Sequence, residues 1–396
     1  MAEQRLFDTL QLNRNTEDLK VAITRKKDFY IGVTDVLPSL SSDKLRNLEI
    51  DEEKIQSWKL DEDEKGEIPQ QKRTSKSLLA PVMPKGATWT DTLNRSWHLG
   101  KLLGTGGHGR IYHVDLSSVN VDGVYRSDHE NDVQEYIIKI YTQFNSYYNV
   151  HIYDLTVALW KKKNGIHFIG VPKCITCAII EYKKEKYQYL ILEKLGQTID
   201  TLWKSNGKQL NSEIVFGIGI NLLHTLEYIH SLGFAHADIK GSNILVAPHQ
   251  QDLRLVYLID YGNCRNFLIN GTHKEYLPRK WLSHQGTALY TSRDGHKGVA
   301  PSRRGDIEIL GYVMLRLICG KLPWELANVN KDFIAQAKMS YCSDIDQLMK
   351  DCFALSNHGS LDVLKTYLTY AVSMAYHEAP NYRYLREILE SGIQGG

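Results

Sequence analysis

The chain has 396 residues, of which 24% are charged, and 48 basic side chains stand against 46 acidic ones for a formal net charge of +2. That balance gives no argument for a general nucleic-acid or membrane-surface partner, and the length allows two or three domains or one large bilobal unit. No apolar run approaches the roughly 20 residues a spanning helix needs. Glu3, Gln4 and Arg5 close behind Met1 leave no secretory signal, so an intracellular protein is expected.

Residues 1–85 carry no sustained periodicity. Charge clusters at 51–54 and 61–67 lead into a polar stretch from Pro69 through Lys72, Arg73 and Lys76 to Ser77, read as a partly disordered N-terminal extension and linker. Arg25, Lys26 and Lys27, and the pair Lys72 and Arg73, are too small to assign as a nuclear signal. From Trp97 the texture changes to strand, and Gly104, Gly106, Gly107 and Gly109 form a G-x-G-x-x-G turn. In dinucleotide-binding folds a helix follows the last glycine of such a turn. Here Ile111, Tyr112, His113 and Val114 follow, so the plan is strand, glycine turn, strand: either an ordinary hairpin or a lid whose backbone N–H groups approach phosphates. Next, Lys139 lies inside the apolar run Tyr136, Ile137, Ile138, Ile140, Tyr141. An ammonium there needs a negative partner, and nucleotide phosphates are the expected one. A helix is expected within 148–161, with Asp154 the acid best placed to pair with Lys139, although it could equally be a surface acid.

Cys174 and Cys177 form a lone C-x-x-C in apolar surroundings, which reads as strand, with all six cysteines reduced and mostly buried. Another strand runs to Leu192, and Glu193, Lys194, Leu195 and Gly196 after it read as a hinge whose backbone bonds adenine. Between 211 and 230, Val215, Ile218, Leu222, Leu226 and Ile229 recur at helical spacing behind an Asn/Ser cap.

The next stretch, 236–262, organises the rest. Two polar islands, His236 to Asn243 by way of Asp238 and Lys240, and Asp260, Tyr261, Gly262, stand at the two ends of a β-branched hairpin turning at 248–252. The hairpin brings the Asp238, Asn243 and Asp260 oxygens toward one volume, and such hard ligands suit Mg²⁺ that takes the rest of its shell from phosphates and water. The spacing matches the protein-kinase signature H-R-D-x-x-x-x-N followed by D-F-G, in which the first Asp accepts the substrate hydroxyl proton and the Asn and second Asp hold metal. Ala237 replaces the usual Arg and Tyr261 the usual Phe. A long mixed segment follows Gly262, more than a compact small-molecule phosphotransferase needs. After it, 306–320 reads as a buried helix.

With these residues in hand the chain resembles the vaccinia-related kinase family, in the casein kinase I group of Ser/Thr protein kinases. The most specific match is the run Val299, Ala300, Pro301, Ser302, Arg303, Arg304, Gly305, Asp306, Ile307, Glu308, Ile309, Leu310, Gly311, Tyr312, joined by the D-Y-G form at Asp260, by His273, Lys274, Glu275, Tyr276, and by Leu322, Pro323, Trp324, Glu325. It covers about 89–390. The resemblance implies an α+β bilobal kinase fold: an N-lobe antiparallel sheet plus one helix (αC in that family's usage) over about 86–195, and a mostly helical C-lobe over 196–392. It implies ATP and Mg²⁺, and protein substrates with Ser/Thr acceptors, chromatin-associated ones included. By position it gives phosphate contact to Lys139, hydroxyl orientation to Asp238, steadying of the phosphoryl group to Lys240, metal to Asn243 and Asp260, and bracing of the catalytic loop to Asp306. A monomer in the nucleus and/or cytoplasm, without nucleic-acid or membrane partners, is expected. His108 at the lid tip and Asp154 in place of Glu depart from the pattern. The alternative is a pseudokinase scaffold that binds partner proteins through the same fold.

Overall fold

The computed structural model describes residues 79–91, 95–106, 109–114, 135–141, 154–248, 252–353 and 360–394. The N-terminal part is one antiparallel sheet made of β1 (Thr88–Thr90), β2 (Ser96–Gly106), β3 (Gly109–Val114), β4 (Tyr136–Tyr141), β5 (Cys174–Tyr182) and β6 (Glu185–Glu193), with helix α1 (Asp154–Asn164) between β4 and β5. The strands lie in the order β1-β2-β3-β4-β6-β5. Alternation explains its core: Trp97 and Leu99, Tyr112 and Val114, Ile138 and Ile140, Tyr189 and Ile191 all turn the same way and are buried together. β4 is central, with Lys139 facing Ile111 of β3 on one side and Leu190 of β6 on the other.

The chain joins this sheet before β1. Ala80 and Met83 belong to its core, Arg110 Nε donates to Ala80 O at 2.6 Å, and the Met83 N–H donates to Tyr112 Oη at 3.0 Å. The folded unit therefore takes in residues on the linker side of the boundary drawn at residue 85; residues 1–78 lie outside the described set.

Beyond β6 the fold is mostly helical: α2 (Ile199–Ser205), α3 (Ser212–Ser231), α4 (Arg293–Lys297), α5 (Arg303–Cys319), α6 (Lys331–Ser343), α7 (Ile345–Phe353), α8 (Ser360–Ser373) and α9 (Tyr382–Gln394). Asn211 caps α3, accepting the Glu213 N–H at 2.7 Å. The expected stripe, Val215 to Ile229, is wholly buried. α5 starts at Arg303 because Ser302 caps it, and it ends where Gly320 takes a left-handed conformation at φ +85°. The expected hairpin forms from β7 (Ile244–Val246) and β8 (Val256–Leu258), with Ile244 opposite Leu258 and Val246 opposite Val256. Both polar islands thus sit at the same open end, between the sheet and the helices.

Candidate active site

The loop 236–243 is built around one carboxylate on α5. Asp306, in that helix's first turn and 1% exposed, accepts the His236 N–H at 2.7 Å and His230 Nε2 at 2.8 Å on Oδ2, and the Ala237 N–H at 2.8 Å on Oδ1. Hydrogen bonds to a charged acceptor are the strong kind. They fix Ala237 at φ +65°, a left-handed conformation that costs a non-glycine residue about 1–3 kcal/mol and persists only where its surroundings impose it. The bracing role that the resemblance gave Asp306 is the geometry observed.

Asp238 follows immediately. Its Oδ1 accepts the Thr287 N–H at 3.1 Å and Thr287 Oγ1 at 2.9 Å, and its Oδ2 accepts Lys240 Nζ at 2.9 Å. Lys240 Nζ also donates to Thr287 Oγ1 at 2.9 Å, closing a triangle of Asp, Lys and Thr. Asn243 Nδ2 donates to Asp238 O at 2.9 Å. With its nitrogen committed there, the amide turns its oxygen the other way.

The second island is tied to the first through Ile259, whose N–H donates to Asn243 O at 2.9 Å. His236 Nε2 donates to Ile259 O at 3.1 Å, and its Nδ1 accepts the Asp238 N–H at 3.3 Å. Burial pulls the His236 imidazole below its usual value despite the Asp306 and Asp238 carboxylates, and the neutral ring serves one donor and one acceptor role. Tyr261 is fully buried against it, ring centroids 5.2 Å apart, with its hydroxyl on Leu258 O at 2.9 Å. The Tyr in D-Y-G is thus satisfied inside the core. Asp260 is left-handed at φ +66° and accepts Lys139 Nζ at 2.7 Å. Burial alone would drive the Lys139 ammonium down, but Tyr141 and the Asp260 carboxylate outweigh it, and the net direction is up, so the charge is kept.

The site therefore gathers Asp238, Lys240 and Asn243 in one group and Lys139 with Asp260 in another, joined by the Ile259 backbone. Gly104 and Gly106 close β2, Gly109 opens β3, and Gly107 and His108 lie outside the described residues. Glu193 ends β6, its Oε1 taking the Lys173 N–H at 3.2 Å. Leu195 follows, half-buried, and the Gly196 N–H donates to Val246 O at 3.0 Å, anchoring the hinge on β7. Asp154 opens α1, but its side chain lies outside the described set. Among the described residues no three His, Cys, Asp or Glu cluster as a metal site. A carboxylate with an amide oxygen nonetheless fits Mg²⁺, which takes its remaining ligands from phosphates and water.

Comparison with known proteins agrees with the geometry. The protein kinase domain model matches residues 124–370. A probable serine/threonine-protein kinase of fowlpox virus (strain NVSL) is 33% identical over 311 residues, covering 78% of this chain and 98% of its own length. The B1 kinase of vaccinia virus (strain Western Reserve) is 30% identical, with coverage of 78% and 98%. Human serine/threonine-protein kinase VRK2 is 33% identical over 80% of this chain and 61% of that protein. The solved structure of vaccinia related kinase 3 matches with a TM-score of 0.67 at 25% identity, over 81% of this chain and 93% of that one. The chain belongs to the vaccinia-related kinase family.

Within this vaccinia-related kinase, one residue of the site escaped the sequence reading. Thr287 touches both Asp238 and Lys240 yet comes 49 residues after Asp238, from the long segment beyond Gly262. The available signal was weak: a Gly286-Thr287 pair in an aperiodic stretch.

Proposed function

We propose that the protein is an active serine/threonine kinase that transfers the γ-phosphoryl group of ATP to Ser and Thr hydroxyls of protein substrates. The Asp238–Lys240–Thr287 triangle carries this reading: a carboxylate held by two donors beside a cation that reaches the same point. Bound Mg²⁺, held by Asn243 and Asp260, supplies neutralisation of phosphate charge. The remaining work falls to the chain. Asp238 orients the acceptor hydroxyl and accepts its proton; Lys240 and Lys139 place positive charge where phosphate oxygens stand; the Glu193 and Leu195 backbone seats the base; Gly104 and Gly106 let the flap's backbone approach the phosphates. Preorganised donors of this kind stabilise the transition state without reorganising during reaction.

Six free cysteines fit a reducing compartment, in keeping with nuclear or cytoplasmic residence. No helix among the described residues is long and apolar enough to cross a membrane. The near-neutral net charge of +2 fits action on protein substrates, chromatin-associated ones included, rather than direct binding to nucleic acid.

Purified full-length protein with labelled ATP, Mg²⁺ and a degenerate Ser/Thr peptide library tests the reading. Transfer is expected, and Asp238→Asn should lower kcat by about 10²–10⁴-fold, the range for losing a positioned base, with an unchanged melting temperature. Absence of transfer from the wild type, with ATP still stabilising it, would favour the pseudokinase scaffold, and transfer surviving Asp238→Asn would remove the assigned base.

A further inference from the structure

Away from the site just described, the most completely buried cation among the described residues is Lys338 on α6, with no exposed surface. An ammonium inside a core needs acceptors. Its Nζ donates to Ala288 O at 2.8 Å and Thr291 O at 2.7 Å, and lies 3.3 Å from His296 Nε2. The rings of Tyr312 and Trp324 flank it at 5.1 and 5.6 Å. Trp324 Nε1 donates to the intervening Leu289 O at 2.9 Å. The Tyr290 and Thr291 N–H groups return to Thr287 O at 2.8 and 3.0 Å. Segment 287–291 is thus a closed turn, pinned from beneath by its carbonyls, and its first residue is the one that touches Asp238 and Lys240.

α6 holds the preceding turn as well. Asp332 near its start lies 3.2 Å from His284 Nε2, and the two Nδ1 atoms of His284 and His296 are 2.9 Å apart. One helix therefore brackets residues 284–291 at both ends. Burial pulls the Lys338 ammonium down to about 7, which Glu308 only partly offsets. A methionine of similar length could fill the same space without that desolvation cost, so packing alone does not account for a lysine here.

We infer that Lys338 is a positioning residue for the protein-substrate side of the cleft: it fixes segment 287–291 so that an extended polypeptide seats its Ser or Thr beside Asp238. Lys338 acts through Thr287 and touches neither nucleotide nor acceptor. The inference rests on the kinase reading above.

The full chain carrying Lys338→Met, and separately Lys338→Gln, tests it by hydrogen exchange and by kinetics with a peptide selected from the library. Loss of the Lys338 Nζ hydrogen bonds to Ala288 O and Thr291 O should speed amide exchange across 284–292 by about tenfold, with α3 unchanged. The peptide KM should rise by about tenfold and kcat should fall with it, because Thr287 also braces Asp238 and Lys240, while the ATP KM stays within about threefold. Unchanged exchange across 284–292, an unchanged peptide KM, or equal losses in kcat and both KM values would overturn it, as would failure of both variants to give a cooperative melt. A wild type that transfers no phosphate defeats the kinase reading alone; the exchange comparison still decides whether Lys338 holds the segment.

Discussion

The two walls of the cleft are held by opposite means. On the helical side, loop 236–243 hangs from a buried carboxylate, and its side chains bond one another and Thr287. On the sheet side, the β2–β3 ribbon carries register shifts between Leu99 and Gly104, and it exposes Leu102 and Leu103 at 41% and 44%. The wall that the proposed function assigns to acceptor and metal is closely hydrogen-bonded, whereas the wall it assigns to the nucleotide is an exposed ribbon. Charge stabilisation gains from rigidity, and phosphate entry and release gain from a flap with few contacts. One family fold serves both needs by placing its hydrogen bonds unequally.

The comparison breaks most readily at the clamp. Asp306→Ala removes a fully desolvated acceptor and strands the His236 and Ala237 N–H groups, so it should cost about 3–5 kcal/mol, as losing one partner of a buried charged network does. Urea denaturation of wild type and variant measures it. A loss below about 1 kcal/mol would show that the helical wall does not depend on this carboxylate.

Within the flap, two glycines sharpen the contrast. A Cβ on Gly109 would stand 2.4 Å from Ile140 O, a backbone atom of the lysine-bearing strand, whereas a Cβ on Gly104 meets nothing within 4 Å. Gly109→Ala should therefore push β3 off β4 and cost about 1–3 kcal/mol, the range for overpacking. Gly104→Ala should leave stability within about 0.5 kcal/mol, as open surface sites do, yet raise the ATP KM if the flap covers phosphates as the proposed function has it. Equal thermal shifts for the two variants would erase the distinction between a packing glycine and a phosphate-facing one.

The same contrast decides what could be read from the residues. Asp238, Asn243 and Asp260 were legible as candidates because one short hairpin carries both polar islands at fixed spacing and local register brings them together, and the family resemblance added Lys240. Lys139 was legible because a charge inside a β-branched run is costly and needs a reason. Thr287 and Lys338 were not, since each reaches the site from an aperiodic loop or an ordinary helix, and only the tertiary fold brings 287, 291 and 338 together. Ala80 and Met83 were missed for a simpler cause. Two apolar residues in a polar stretch show no period, and only the sheet they cover reveals them as core.

The smallest expected effect concerns Ala237, where the clamp imposes a strained backbone. Ala237 is only half-buried and is among the residues lining a cavity of about 30 Å³ with Gly286 and Ser302, so removing its single methyl should forfeit little packing. A left-handed alanine costs about 1–2 kcal/mol, and the extra freedom of glycine in the unfolded chain returns roughly half of that. Ala237→Gly should then stabilise the protein by about 0.5–1 kcal/mol while the Asp306 bonds keep the loop in place, leaving kcat within about twofold. Thermal melts at several urea concentrations resolve a change of that size. A destabilised variant would mean that the methyl itself restrains the loop, and that the carboxylate clamp shares its task with side-chain contact.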